Sequence, residues 1–378
     1  MTKSTRLDQV CQLIMGQAPD GISYNTAGVG HPLIAGAGDF NEGRPEPTKF
    51  TSEPTKLSKS GDIILGIRAS IGEKVLSDGI YCLGRGVAGL RPHTQLDGRF
   101  LWHWLTHITP VLMSKAKGAT FKQVNREDIG ELDIDLPPLP EQRRIAAILD
   151  QAEALRTQRR AALAKLDTLA QSIFIEMFGD PLTVLGKWPI TKLGHILEFL
   201  TSGSRGWATH YSESGDLFLR IQNVRRDELD LEDVAFVAAP DTAEARRTRV
   251  EPGDVLLSIT ADLGRTAVIP EGIGIAYINQ HLSIIRQKEL VPRFLSAFLA
   301  SPMGQQQVLG RNKQGVKAGL NFDDIRSITI PLPPMPLQKK YAERLQAIEG
   351  EQAKHRSSLI TISKLFASIQ HRAFRAGL

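Results

Sequence analysis

The sequence predicts an α+β protein: two similar mixed α/β domains separated by two long antiparallel helices, a pseudo-two-fold dumbbell. Three observations lead there. The chain repeats itself, since "GDIILGIRASIG" (Gly61–Gly72) returns as "GDVLLSITADLG" (Gly253–Gly264). Each copy ends in a proline hinge, "LPPLPEQRR" from Leu136 and "LPPMPLQKK" from Leu332. Each hinge opens a long stretch of apolar residues at helical spacing.

The matches run along most of the chain. "RFLWHWLTH" (Arg99–His107) pairs with "RFLSAFLAS" (Arg293–Ser301), and "LAQSIFIEMF" (Leu169–Phe178) with "LFASIQHRAF" (Leu365–Phe374). A unit this long is a domain with its trailing helix, not a solenoid repeat. Boundaries follow: residues 1–139 and 179–335 are the domains, and 140–178 and 336–378 are the helices.

Element by element, Gly-Asp makes a turn and the apolar run after it enters a strand. Phe and Leu at helical spacing make Arg99–His107 and Arg293–Ser301 short helices. "ELDIDL" and "SITIPL" alternate and read as strands, which stop at Pro137-Pro138 and Pro333-Pro334 because proline cannot donate to a ladder. Pro140 then suits a first helical turn. Ile145, Ile148, Ala152, Leu155, Ala162, Leu166, Leu169 and Ile173 follow a 3-4 spacing, with Arg159 as a polar break. The second copy offers Tyr341, Leu345, Ile348, Leu359, Ile362, Leu365 and Ile369, weaker at Gly350 and His355. Each helix spans roughly 55 Å at about 1.5 Å per residue. An apolar stripe that long is buried most simply against the other helix, as a coiled coil. The first helix delivers the chain to the second domain, so the second must run back. The pair is therefore expected to be antiparallel.

Composition bounds the rest. The 378 residues are 42% hydrophobic and 23% charged with net charge +5, a globular chain whose mild basicity admits a polyanion partner. Cys11 and Cys82 stand outside any CxxC, which argues against a zinc ribbon or redox pair. A reducing cytoplasm is the expected location. The first residues lack a signal peptide's apolar run. No stretch approaches about 18 apolar residues, so no membrane span is expected.

Charge is distributed in a repeated way. No acidic residue lies between Asp97 and Glu127, where Arg99, Lys115, Lys117, Lys122 and Arg126 fall. None lies between Glu289 and Asp323, where Arg293, Arg311, Lys313 and Lys317 fall. Each run holds a polar loop, Lys115–Asn125 and Gly310–Asn321. Lys and Arg neutralise phosphates, whereas Gln, Asn and Thr read base edges. The scaffold segments match, but Gly16–Arg44 barely resembles Gly203–Glu228, as two different half-sites would require. Trp207 in the second of these is either a core ring or a ring that packs on a sugar. The strand ends at Arg68 and Thr260 occupy equivalent positions.

Catalytic signatures are missing. There is no GxxxxGK[ST] loop and no GxGxxG after a strand. His103 and His107 have i,i+4 spacing, but Trp104 replaces the metalloprotease Glu and the second copy has no His there. Leu139 and Met335 stand where an amino-methyltransferase would carry its stacking aromatic ring. The repeated Asp62/Asp254 and Asp128/Asp324 are explained by turns or caps.

"PLPEQRRIAAILDQ", its second copy, and the "GDIIL…IG" turn resemble the DNA-specificity subunit of type I restriction-modification systems over nearly the whole chain. The resemblance implies two target-recognition domains, one for each half of a bipartite asymmetric DNA site. It implies docking of two methyltransferase subunits, with the restriction/translocase subunit joining the larger complex. It assigns this chain no cofactor: S-adenosylmethionine, ATP and Mg belong to the partners. The second copy departs from the pattern, with Leu337 for Glu141 and Tyr341 for Ile145, while Gln142 and Gln338 both remain.

The expected function is a non-catalytic reader of double-stranded DNA. Its expected contacts are Arg68, Lys115, Lys117, Thr120, Lys122, Gln123 and Asn125 in the first copy. In the second they are Arg205, Arg220, Gln222, Asn223, Arg225, Thr260, Arg311, Asn312, Lys313, Gln314 and Lys317. The expected helix or subunit interface is Gln142, Ile145, Ile148, Leu155 and Leu166 with Gln338, Tyr341, Leu345, Ile348 and Leu359. The rivals are a fused reader-nuclease using Asp254 or Asp262 for Mg, and a protein-interaction scaffold without a DNA role.

Overall fold

The computed structural model describes residues 3–41, 43–118, 122–179, 184–311 and 319–375. Contacts divide the chain into two compact units. One comprises Met1–Ala161 with Arg356–Leu378, and the other Ala162–His355. Each unit thus takes half of each long helix.

In the first unit, an antiparallel sheet has the order Cys11–Met15, Val87–Pro92, Ile63–Gly66, Lys74–Leu76. A second sheet has the order Cys82–Leu83, His31–Ile34, Lys49–Thr51, Tyr24–Asn25, with its first pair parallel. Strand Lys3–Arg6 pairs with Asp133–Leu136, immediately before the hinge prolines. Ile63, Ile64 and Leu65 are fully buried, as a central strand covered on both faces requires. Helix Gly98–Ser114 buries Phe100, Leu101, Trp104 and Leu105.

The second unit repeats this plan. Its antiparallel sheet has the order Leu197–Ser202, Leu282–Gln287, Val255–Ser258, Thr266–Val268. Its second sheet joins Ala276–Ile278 in parallel to Asp216–Leu219, followed by Ala235–Val237 and Tyr211–Ser212. Ile190–Lys192 pairs with Thr329–Pro331 before the second hinge. Trp207 is a core ring, 6% exposed and packed at a tilt against Phe218 and Tyr277.

The long helices run Leu139–Phe178 and Met335–Arg375. Within the first unit, Ile145, Leu149 and Ala152 share one core with Phe366 and Ala373. Within the second, Ile173, Phe174 and Phe178 share one with Tyr341, Leu345 and Ile348. The start of each helix meets the end of the other, so they run antiparallel. Tyr341, the residue that replaces Ile145, completes a ring cluster with Phe174, Phe178 and Phe294 at centroid separations of 4.7 to 5.9 Å.

The buried stripe differs from the expected heptad. Leu149 joins Ile145 in the core while Ile148 is only half-buried, and Leu155, Leu169 and Leu365 are about half exposed. A helix of 3.6 residues per turn drifts off a heptad, and only the helix ends are covered by a domain. Toward the middle, side chains bridge instead: Gln352 donates to Asp167 (2.7 Å), and the Arg156 guanidinium lies 4.8 Å from the Phe366 ring centre. Leu166 and Leu359 are half-buried.

A buried glutamine joins each domain to its helix. Gln142 Oε1 accepts from the Asp97 N–H (2.8 Å), the cap of helix Gly98–Ser114, and its Nε2 donates to the Gln95 and Pro137 carbonyls (both 2.9 Å). Gln338 likewise accepts from Val291 N–H (2.9 Å), the cap of helix Pro292–Ala300, and donates to Pro333 O (2.8 Å). Replacing either by leucine strands these groups in a dry site. We expect Gln142→Leu and Gln338→Leu each to destabilise by about 3 kcal/mol, seen as a lower urea midpoint.

Asp62 and Asp254 do more than close turns. Each accepts two bonds from an arginine on the neighbouring strand: Arg91 at 2.8 and 2.7 Å, Arg286 at 2.7 and 2.8 Å. Each also caps its turn, at Lys59 N and Glu251 N. Asp254→Asn leaves Arg286 half-paired against a 1% exposed side chain and should cost about 3 kcal/mol by the same measurement.

Candidate nucleic-acid interface

The sequence-conserving turn of the repeat builds the site. After strand Ile63–Gly66 the chain makes a tight loop closed by Gly72 N–H to Gly66 O (3.1 Å), and its twin closes by Gly264 N–H to Ser258 O (3.1 Å). Gly72 and Gly264 have φ of 92° and 85°. A Cβ there would lie 2.4 Å from Thr109 and 2.6 Å from Gln305, so only glycine fits.

The loop is stitched to two other segments. Ile67 N–H donates to Gly86 O and Ile67 O accepts from Val124 N–H, both at 3.0 Å. Arg68 is thereby held beside Arg85 and the Lys122–Asn125 stretch. In the second unit, Ile259 makes the same two bonds, with His281 O and Leu320 N–H (both 2.9 Å). Thr260 there bonds His281 Nδ1 at 2.6 Å.

Each unit has a cleft beside this turn. In the first it is about 290 Å³, with Arg68 and Arg85 above a wall of Ala35, Gly36, Ala37 and Gly38. In the second it is about 580 Å³, with Gln222, Arg225, Arg226, Asp262, Arg265 and Gln305. The correspondence is topological: Asp39 caps its 3-10 turn through the Gly36 N–H, as Asn223 does through the Arg220 N–H. Gly-Ala-Gly in the first unit therefore stands where Arg220, Ile221 and Gln222 stand in the second.

Several expected contacts belong to this surface. Arg68 is half-buried in its cleft, and Lys117, Lys122 and Gln123 are exposed. Lys117 and Gln123 pair through their main chains (3.0 and 2.9 Å). Gln222 and Arg225 line the second cleft, where Gln222 Nε2 donates to Asp233 at 3.2 Å. Arg205 is exposed beside left-handed Gly206. Lys115 is half-buried and ends its helix. Arg220 donates to Asp233 O at 3.0 Å. Thr120, Asn312, Lys313, Gln314 and Lys317 lie outside the described residues.

Three expected readers have structural partners within the fold. Asn223 is 1% exposed; it accepts from Arg220 N–H and donates to Asp230 O and Asp233 O (3.0 and 3.1 Å). Asn125 caps helix Arg126–Gly130, accepting from Asp128 N–H at 2.9 Å. Arg311 donates to Ser327 Oγ, Gln307 O and Ser327 O at 2.7 to 2.9 Å. The acid-free runs are also less free in space. Arg99 pairs with Asp150, Arg293 with Asp227 and Glu349, and Arg126 with Leu13 O. Burial acts to raise the Asp150 carboxyl, but hydrogen bonds from Arg99 and His103 outweigh it and hold it below the ordinary range. His103, 2% exposed, is thus a tie between domain and helix at 2.8 Å from Asp150.

Sequence reading missed Arg85, Arg265 and Gln305. Arg265 was the most accessible of these, because the repeat aligns it with Glu73 and so reverses a charge at a conserved turn.

Comparison with known proteins agrees with this architecture. The profile of the type I restriction modification DNA specificity domain matches residues 2–165 and 232–361. A putative type I restriction enzyme MjaX specificity subunit of Methanocaldococcus jannaschii is 32% identical over 163 residues, 43% of this chain and 38% of that protein. The EcoBI specificity subunit of Escherichia coli is 23% identical over 74% of this chain and 65% of its own length. The chain thus spans less than two thirds of these two relatives. For the EcoKI subunit of E. coli K12 the figures are 23%, 92% and 82%. In fold, the S subunit of a type I restriction-modification system from M. genitalium superposes with TM-score 0.63 at 16% identity, covering 99% of this chain and 96% of that one. A chain from work on assembly and conformational transition of the type I R-M system gives 0.59 at 21%, covering 100% and 98%. With the profile covering both copies of the repeat and the same two-domain, two-helix fold in solved S subunits, this chain belongs to the type I restriction modification DNA specificity family.

Proposed function

We propose that this chain is the non-catalytic, DNA-reading subunit of a type I restriction-modification complex. Each domain reads one half of a bipartite asymmetric site in double-stranded DNA. The observation that carries this reading is a basic cleft beside the same repeated turn in each copy, lined by different side chains. Equal scaffolds position two contact surfaces, and unequal linings give them different sequence preferences. Arg68, Arg85 and Lys122 serve the phosphates of one half-site. Gln222, which is exposed, offers its amide to base edges at the other.

The long helices dock two methyltransferase subunits, through which the restriction subunit joins. Leu155, Leu169, Ile175, Ile360 and Leu365, each about half exposed, supply the apolar area for that contact. S-adenosylmethionine, ATP and Mg enter with those partners. The nuclease alternative loses support because both Asp254 oxygens accept from Arg286. The complex works in the cytoplasm; none of the described helices is long and apolar enough to cross a membrane.

Mapping methylated sites in a host carrying this chain and its methyltransferase tests the reading. Exchanging residues 203–228 for a relative's segment should change one half of the methylated sequence; change in both halves would refute the division of labour. Arg68→Ala with Lys122→Ala should weaken DNA binding and reduce the salt slope by about two units, with the unfolding midpoint unmoved. Asn223→Ala should do the reverse, lowering stability by about 2 kcal/mol by leaving buried partners unpaired.

A further inference from the structure

The second cleft holds arginines that are already occupied. Arg225 pairs with Asp230, and Arg265 Nε lies 2.7 Å from Asp262 Oδ2. The first cleft differs: among the described residues, neither Arg68 nor Arg85 has a carboxylate within ion-pair distance. At the positions of Asp262 and Arg265 the first copy has Ser70 and Glu73.

The Asp262 pair is built into the backbone. Ser258 Oγ donates to Asp262 O (2.6 Å) and accepts from Arg265 N–H (2.8 Å), closing the turn that sets the carboxylate beside the guanidinium. Ala261, one residue before, has φ of 63°, a conformation disfavoured for any residue with a Cβ. Asp227, with φ of 63° and next to Arg226, is the other such non-glycine residue among those described. Both strained positions flank the same cleft, and strain of this kind collects at functional sites.

Resting on the DNA-reading function, we propose that Asp262 and Asp230 are specificity-determining residues that hold the second cleft's arginines away from non-specific phosphate. A phosphate entering there exchanges one charge-assisted bond for another and gains little by itself. Contacts to fitting base edges tip the exchange. In the first domain, where Arg68 and Arg85 have no such carboxylate among the described residues, the backbone of the half-site meets no such competition. Both domains read sequence, and the carboxylates make the second the less tolerant of a non-specific backbone.

The test is binding of a random-sequence 30-base-pair duplex by the full chain, alone and with its methyltransferase partner, by fluorescence anisotropy over a KCl series. Asp230→Asn with Asp262→Asn should raise this non-specific affinity at least tenfold at low salt. It should also steepen log K against log[salt] by about two units, one for each freed arginine. Arg265→Ala added to Asp262→Asn should take about one unit back. Should the double variant lose its circular-dichroism spectrum, Asp262→Asn alone, on an exposed turn, should steepen the slope by about one unit. A wild-type chain that binds, with Asp262→Asn matching it in affinity and slope, overturns the inference. Failure of the wild type to bind any duplex under either condition instead overturns the DNA-reading function on which it rests.

Discussion

Everything in this fold depends on how a domain is fastened to a helix, and a buried glutamine does the fastening. Gln142 and Gln338 each take up the free N–H at the start of a domain helix and the carbonyl left bare by the hinge prolines. A helix start has unsatisfied donors, and a Pro-Pro hinge has carbonyls without a ladder partner. One amide, with an acceptor and two donors, answers both needs at once. An acidic or apolar residue satisfies only half of them or none. The angle at which the chain leaves each domain is therefore set by directional bonds, with the apolar clusters around Ile145 and Tyr341 adding packing on top.

Around that joint the two copies conserve what shapes and vary what touches. The buried Asp–Arg pairs, the tight glycine turns and the strand order recur. The cleft linings do not: small residues with Arg68 and Arg85 in one copy, amides and carboxylate-paired arginines in the other. A duplicated frame with free variation at its clefts is what the proposed reading of two unlike half-sites calls for.

Much of this was legible in the sequence because it is local or repeated. The hinge, the helix pair, the Gly-Asp strands and the equivalence of Arg68 with Thr260 all come from matching short segments. The helix caps at Asn125 and Asn321 were equally available, since "NRED" and "NFDD" carry the Asn-x-x-Asp pattern of a capping box. What stayed hidden is pairing over long separations. A stretch without acids, such as 98–126, looks electropositive until Asp150 is seen against Arg99. Asn223 looks like a base reader until three main-chain partners enclose it. The helix stripe was misplaced because heptad counting assumes one continuous partner, whereas here the domains cover the ends.

The interleaving of the two compact units also bears on how the chain is made. The first unit includes residues 356–378, so its N-terminal domain leaves the ribosome long before the segment that closes its apolar groove exists. Until then Ile145, Leu149 and Ala152 have no Phe366 or Ala373 to meet. Synthesis proceeds at about 5–20 residues per second, so the nascent protein carries an open hydrophobic seam for many seconds. The last helix is the clasp of the first domain, and a premature stop near the end of the message damages the half of the molecule that was translated first.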